Sequence, residues 1–159
     1  MGQETAYDAV LLVAFGGPEG PDQVGPFLER VTAGRGVPPG RLAEVAARYE
    51  RFGGVSPING RMRSLAAAVT DELTARRHDL PVFWGNRNAP PLLTDVVASI
   101  RDAGIERALA WVSSPYSSYS TCRQYGEDLD AACQSVGSRA PSIDRVRPHH
   151  DHPGLIGPT

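Results

Sequence analysis

From Asp8 to Phe15 the chain reads Asp-Ala-Val-Leu-Leu-Val-Ala-Phe, apolar at every position after the first. A run that is apolar on both alternations suits a strand covered on both faces, as in a parallel sheet with helices above and below. Gly16, Gly17 and Pro18 end it. Asp22 then stands where it can cap a short helix running to about Thr32, which the Gly34-Arg-Gly-Val-Pro-Pro39 segment breaks. A second helix is expected over roughly Arg41 to Phe52. A third runs from Pro57 to about Arg77, where Leu65, Ala68, Val69 and Leu73 recur at helical spacing.

Pro81 to Trp84 reads as a second strand, Thr94 to Ala103 as a helix closed by Gly104, and Ala108 to Val112 as a third strand. Tyr119 to Gln134 is again helical, and Ile143 to Val146 fits a fourth strand. Strands alternating with helices of this length require right-handed crossovers, so the pattern predicts a doubly wound α/β domain built on a parallel sheet of about four strands. Ligands of such sheets bind outside the carboxyl ends of the strands. The loops after Phe15, Trp84 and Val112 should therefore share one edge.

The 159 residues, 41% of them hydrophobic, can bury one core of ordinary size. Residues 1–148 are expected to form that domain, with 149–159 a truncated or disordered tail. The glycines and prolines sit between apolar runs and read as turns. A net charge of −2 offers no electrostatic footprint for nucleic acid. The densest basic run, Arg76-Arg77-His78, ends a predicted helix, where positive charge complements the helix dipole. No apolar run approaches the ~20 residues that cross a bilayer, and acidic Glu4 replaces a basic leader, so a cytoplasmic location without a transmembrane segment is expected. Cys122 and Cys133 fall in one predicted helix roughly 16 Å apart, too far for a disulfide. Both are expected as reduced thiols with no metal role.

Chemistry concentrates in the loops. Gly16-Gly-Pro-Glu-Gly20 invites a phosphate-loop reading, but Pro18 has no N–H to donate and Glu19 repels phosphate, so a tight turn fits better. Between Arg48 and Asn59 the chain reads Arg-Tyr-Glu-Arg-Phe-Gly-Gly-Val-Ser-Pro-Ile-Asn. Two glycines supply left-handed backbone angles at a helix end, and a Ser-Pro step starts the next helix, so Ser56 can face a ligand or simply cap that helix. In Gly85-Asn-Arg-Asn-Ala-Pro-Pro91, Arg87 can meet a carboxylate ligand or a local partner, while Asn86 and Asn88 can satisfy turn backbone.

The segment from Ser113 to Tyr125 mixes hydroxyls with Tyr116, Tyr119 and Tyr125, a composition suited to a large flat ligand with a polar rim. It has no Gly-x-Ser-x-Gly elbow for a serine nucleophile. His149, His150, Asp151 and His152 resemble metal ligands, but they crowd a proline-flanked terminus without the spacing of a helical pair. Adventitious metal pick-up by a frayed tail is the expectation.

Taken together, Leu11-Leu-Val-Ala-Phe-Gly-Gly-Pro18, Gly34-Arg-Gly36, Arg48-Tyr49 leading to Gly53-Gly-Val-Ser-Pro57, Gly85-Asn-Arg-Asn88 and Ser117-Ser-Tyr-Ser120 leading to Tyr125 resemble the N-terminal half of ferrochelatase, nearest the actinobacterial coproporphyrin type. The resemblance implies one half of a two-domain chelatase fold. It also implies insertion of ferrous iron, the family's substrate metal, into coproporphyrin III or a related porphyrin in haem biosynthesis. The macrocycle would be bent in a cleft between the halves while a His and a Glu guide iron in and pyrrole protons out.

Carried over, Ser56 and Tyr125 match porphyrin or propionate contacts, and Arg48 and Tyr49 a further binding pair. Packing and a helix-end ion pair are equally open for those last two. Phe15 replaces a tyrosine that ligates haem iron in some branches and can only stack. Thr32 replaces a propionate-binding arginine and Asn88 a histidine, leaving Arg87 or another base to meet propionates.

The resemblance puts the family's metal-handling His and Glu in a second half beyond Thr159, so no catalytic residue, metal ligand or bound cofactor is expected within these 159 residues. Partners implied are the porphyrin and a C-terminal half or another copy. The isolated chain is expected to be inactive. A porphyrin-binding or assembly half-domain is the alternative, and a generic nucleotide-binding domain is the weakest reading. A half built to pack against another domain should expose apolar surface.

Overall fold

A computed structural model of the chain describes residues 6–116, 118 and 123–157. Four parallel strands form one sheet: β1 (Ala9–Ala14), β2 (Val82–Asn86), β3 (Arg107–Val112) and β4 (Ser142–Arg145), in the spatial order β2-β1-β3-β4. The most apolar segment takes a central place because only there can both faces be covered. Leu11 and Val13 point into one core with Val97 and Ile100 of helix α4 (Leu93–Asp102) and Leu129 of helix α5 (Tyr125–Val136). Leu12 and Ala14 point the other way, onto Met62 of helix α3 (Ile58–Ala75). One strand's alternation thus sorts the helices onto two faces, giving the doubly wound α/β arrangement that the sequence pattern predicts.

A third apolar cluster lies beside the sheet. Helix α1 (Pro21–Thr32) contributes Val24, Phe27 and Leu28, and helix α2 (Pro39–Glu50) lays half-buried Leu42, Val45, Ala46 and Tyr49 against them. A short helix α6 (Pro153–Ile156) follows β4. There His152 Nδ1 accepts from Gly154 N at 3.1 Å, and the His149 ring lies 5.1 Å from Trp111.

Two local expectations need correction. Asp22 does not cap α1: it lies in the first turn, Gly20 holds the cap position without a side-chain bond, and the Gln23 amide oxygen accepts from Glu19 N at 3.0 Å instead. The second strand does not stop at Trp84. Gly85 and Asn86 stay in register beside Val13 and Ala14, so the ligand-side loop begins only at Arg87. Of the helix expected from Tyr119, residues 119–122, with Cys122, lie outside the described residues, and the regular helix there starts at Tyr125.

Candidate functional site

The turn after α2 closes on itself first. Phe52 N and Gly54 N donate to Tyr49 O at 2.9 and 2.8 Å, and Gly53 N donates to Glu50 O at 2.9 Å. Gly53 and Gly54 have φ of +70° and +72°, the left-handed region the sequence calls for. The reversed chain then docks on the loop after β1, where Val55 bridges Glu19 in antiparallel fashion and Ser56 N donates to Pro18 O at 2.8 Å. A Cβ on Gly17 would come within 2.5 Å of Ser56 Cβ, so that glycine gives the serine its place.

Ser56 comes to line an open depression of about 300 Å³ together with Arg48, Tyr49, Phe52, Val55 and Pro57. Phe52 and Val55 are 78% and 47% exposed, large values for apolar side chains. Arg48 and neighbouring Arg51 are exposed and pair with no carboxylate among the described residues. Among the described residues the Ser56 hydroxyl makes only a long contact, accepting from Ile58 N at 3.5 Å, so it is partly free for a ligand.

Phe15, Arg87 and Tyr125 form a second group at the carboxyl edge of the sheet. The Arg87 guanidinium lies 4.8 Å from the Tyr125 ring centre and 5.8 Å from that of Phe15. Its side chain is 9% exposed and ion-paired with Asp128 of α5. Burial pushes the Asp128 carboxyl above its ordinary value, with Arg87 pulling the other way. Burial likewise raises the hydroxyls of Tyr125 and Tyr49, so both stay protonated at neutral pH.

The two groups are joined by aromatic edges. The Phe27 ring lies 6.2 Å from Phe15 and 5.8 Å from Tyr49, both near perpendicular. Asn88 stands under the second group: its backbone and side-chain nitrogens donate to Phe15 O at 3.1 and 3.2 Å, and its own carbonyl accepts from Arg30 at 3.2 Å. Asn88 is 7% exposed, so what it offers is the setting of the Phe15 backbone. At the position where the family resemblance expects an arginine, the Thr32 hydroxyl donates back to Leu28 O at 2.7 Å.

Sequence reasoning missed the buried amides that pin these loops. Asn59 Nδ2 donates to Gly17 O at 3.1 Å and to Pro90 O at 3.3 Å, and its Oδ1 accepts from Asn86 Nδ2 at 3.1 Å. Trp84 Nε1 completes the set by donating to Asn86 Oδ1 at 3.0 Å. A polar residue three positions before buried Met62, on the same helical stripe, is the signal that could have found Asn59. Asp128 left no such trace, because its partner lies in a different βα unit. Among the described residues no group of three His, Cys, Asp or Glu side chains gathers, and no helix is long and apolar enough to cross a membrane.

Comparison with known proteins adds a consistent picture. A family model described as Ferrochelatase matches residues 7–159. A coproporphyrin III ferrochelatase of Mycobacteroides abscessus is 53% identical over 150 residues, which cover 94% of this chain and 44% of that protein. Proteins of the same name from Leifsonia xyli and Streptomyces coelicolor are each 51% identical, over 98% and 96% of this chain and 40% and 41% of their own lengths. The chain spans less than half the length of these curated relatives.

Proposed function

The chain belongs to the ferrochelatase family, and from that premise we propose that it supplies one wall of a porphyrin-metallating site, where ferrous iron is inserted into a coproporphyrin-type macrocycle for haem biosynthesis. The observation that carries this reading is the depression at the α2 turn: exposed Phe52 and Val55, half-buried Tyr49, the Ser56 hydroxyl and cationic Arg48 line one open surface. An apolar floor with cations at its rim suits a flat hydrophobic ring bearing acidic side chains. Phe52, Val55 and Tyr49 take the face of the ring and exclude water from it. Arg48 and Arg51 meet peripheral carboxylates, and Ser56 donates a directional hydrogen bond. Phe15, Arg87 and Tyr125 extend the wall along the sheet edge.

None of the six side chains lining the depression is a base at neutral pH. We assign the acceptor for pyrrole protons to a surface that closes over this one, a second half or another copy of the chain, since the depression itself offers none and the Asp128 carboxylate along the wall is paired with Arg87. The exposure of Phe52 favours such a cover. A cytoplasmic setting accompanies the reading. Absorbance titration with coproporphyrin III tests it directly, with saturable binding to the 159-residue chain as the expected outcome and no binding as the refutation. Fluorescence-monitored zinc insertion tests the second part. Turnover well above the uncatalysed rate by this chain as a monomer, with light scattering excluding self-association, would refute the assignment of proton removal to another surface.

A further inference from the structure

Two guanidiniums converge on one neutral side chain. Gln124 stands just before α5, and with its amide oxygen turned toward them it accepts from Arg87 Nη2 at 3.0 Å and from Arg35 Nη2 at 3.3 Å. The opposite orientation would press an NH2 group against two donors. Arg87 is balanced by Asp128 and sandwiched by Phe15 and Tyr125. Arg35 is exposed, carried on the loop between α1 and α2, and pairs with no carboxylate among the described residues. Glu127, next to Asp128 in the chain, is paired with Arg123. Of the two guanidiniums that meet at Gln124, only Arg87 has a carboxylate partner among the described residues.

An amide oxygen is a weaker acceptor than a carboxylate for the same donors. A ligand carboxylate can take the place of Gln124 at Arg35 while Arg87 and Asp128 stay paired. Thr32 cannot fill that role, since its hydroxyl is spent on Leu28 O. We infer that Arg35, released from Gln124, is a specificity-determining residue that binds a carboxylate on the rim of the macrocycle. The inference rests on the porphyrin reading above and extends it to a residue that does not line the depression at Ser56.

The test compares Arg35→Gln and Arg35→Lys with the parent chain, using coproporphyrin III and its tetramethyl ester. Arg35→Gln should weaken binding of the acid about twofold to fivefold, the range for an exposed charged contact, and leave the ester unchanged. Arg35→Lys should recover part of the loss, and added salt should shrink it. Equal loss for acid and ester, or no loss for either, overturns the inference while leaving the porphyrin reading standing.

A second arm does not need a porphyrin: titration with pyromellitate, a small aromatic tetracarboxylate, followed by nitrogen NMR of the Gln124 amide and arginine side chains. A saturable shift at Gln124 that disappears in Arg35→Gln supports the site. If the parent chain binds no porphyrin, the proposed function falls. The pyromellitate arm then decides the carboxylate site alone, and absence of a saturable shift at Gln124 sinks it.

Discussion

Gly53 and Gly54 are neighbours with nearly the same backbone angle, φ +70° and +72°, yet replacing each by alanine should give different results. At either position an L side chain in the left-handed region costs about 1–2 kcal/mol. A Cβ on Gly53 meets nothing within 4 Å, so that cost is the whole effect. A Cβ on Gly54 would lie 2.6 Å from both Cα and N of Pro21 and 3.0 Å from the Gly20 carbonyl carbon. These are backbone atoms at the start of α1, which cannot rotate away.

Relief of that contact requires the turn and α1 to separate, adding about 1–3 kcal/mol, the usual range for overpacking. Gly53→Ala should therefore lose about 1–2 kcal/mol and Gly54→Ala about 2–5 kcal/mol, read from urea unfolding followed by fluorescence of Trp84 and Trp111. The separation also moves Ser56 away from Gly17, so Gly54→Ala should weaken coproporphyrin III binding where Gly53→Ala does not. Equal losses in both variants would refute the close approach of the turn to α1.

Three further outcomes follow from the packing. Asn59→Ala leaves Gly17 O without its buried donor and takes from Asn86 Nδ2 one of its two acceptors, Pro90 O remaining, and should cost about 2–4 kcal/mol by the same unfolding assay. Phe52→Ser, at a position that is mostly solvent, should change stability by less than about 0.5 kcal/mol while lowering porphyrin affinity and self-association, measured by titration and by light scattering. Arg63 beside Glu19 holds that carboxyl below its usual range, so the folded chain binds the proton less tightly than the unfolded chain. Stability from the pair is present above the unfolded value and lost as pH falls through the folded one. Glu19→Gln should accordingly lower the urea midpoint at neutral pH and match the parent chain once the carboxyl is protonated.

The layered fold was readable from the chain because its main determinant is local: an unbroken apolar strand, then segments whose spacing changes from strand to helix. The end of β2 was not, because Gly85 and Asn86 carry no apolar signal. They remain in the sheet through register with β1 and through the amide of Asn59, 27 residues away in sequence. The turn at Gly53 and Gly54 was legible since left-handed angles demand glycine. Where Ser56 would point was not, as this depends on the loop after β1 coming close enough to exclude a side chain at Gly17. Arg87 stood out as a lone cation among amides, but the carboxylate that balances it is on α5, and no short-range pattern links the two.

Helix α2 has no fully buried residue and is held mainly through one half-buried face against α1. Elements anchored this lightly open at lower free energy than central strands. Amide hydrogens of residues 39–50 should therefore exchange with solvent through partial opening, well before those of β1. Arg48 and Tyr49 ride on that helix, so part of the ligand wall belongs to a lightly anchored layer of the domain. A bound macrocycle would slow exchange across α2 far more than in the sheet, making this helix the natural reporter of occupancy.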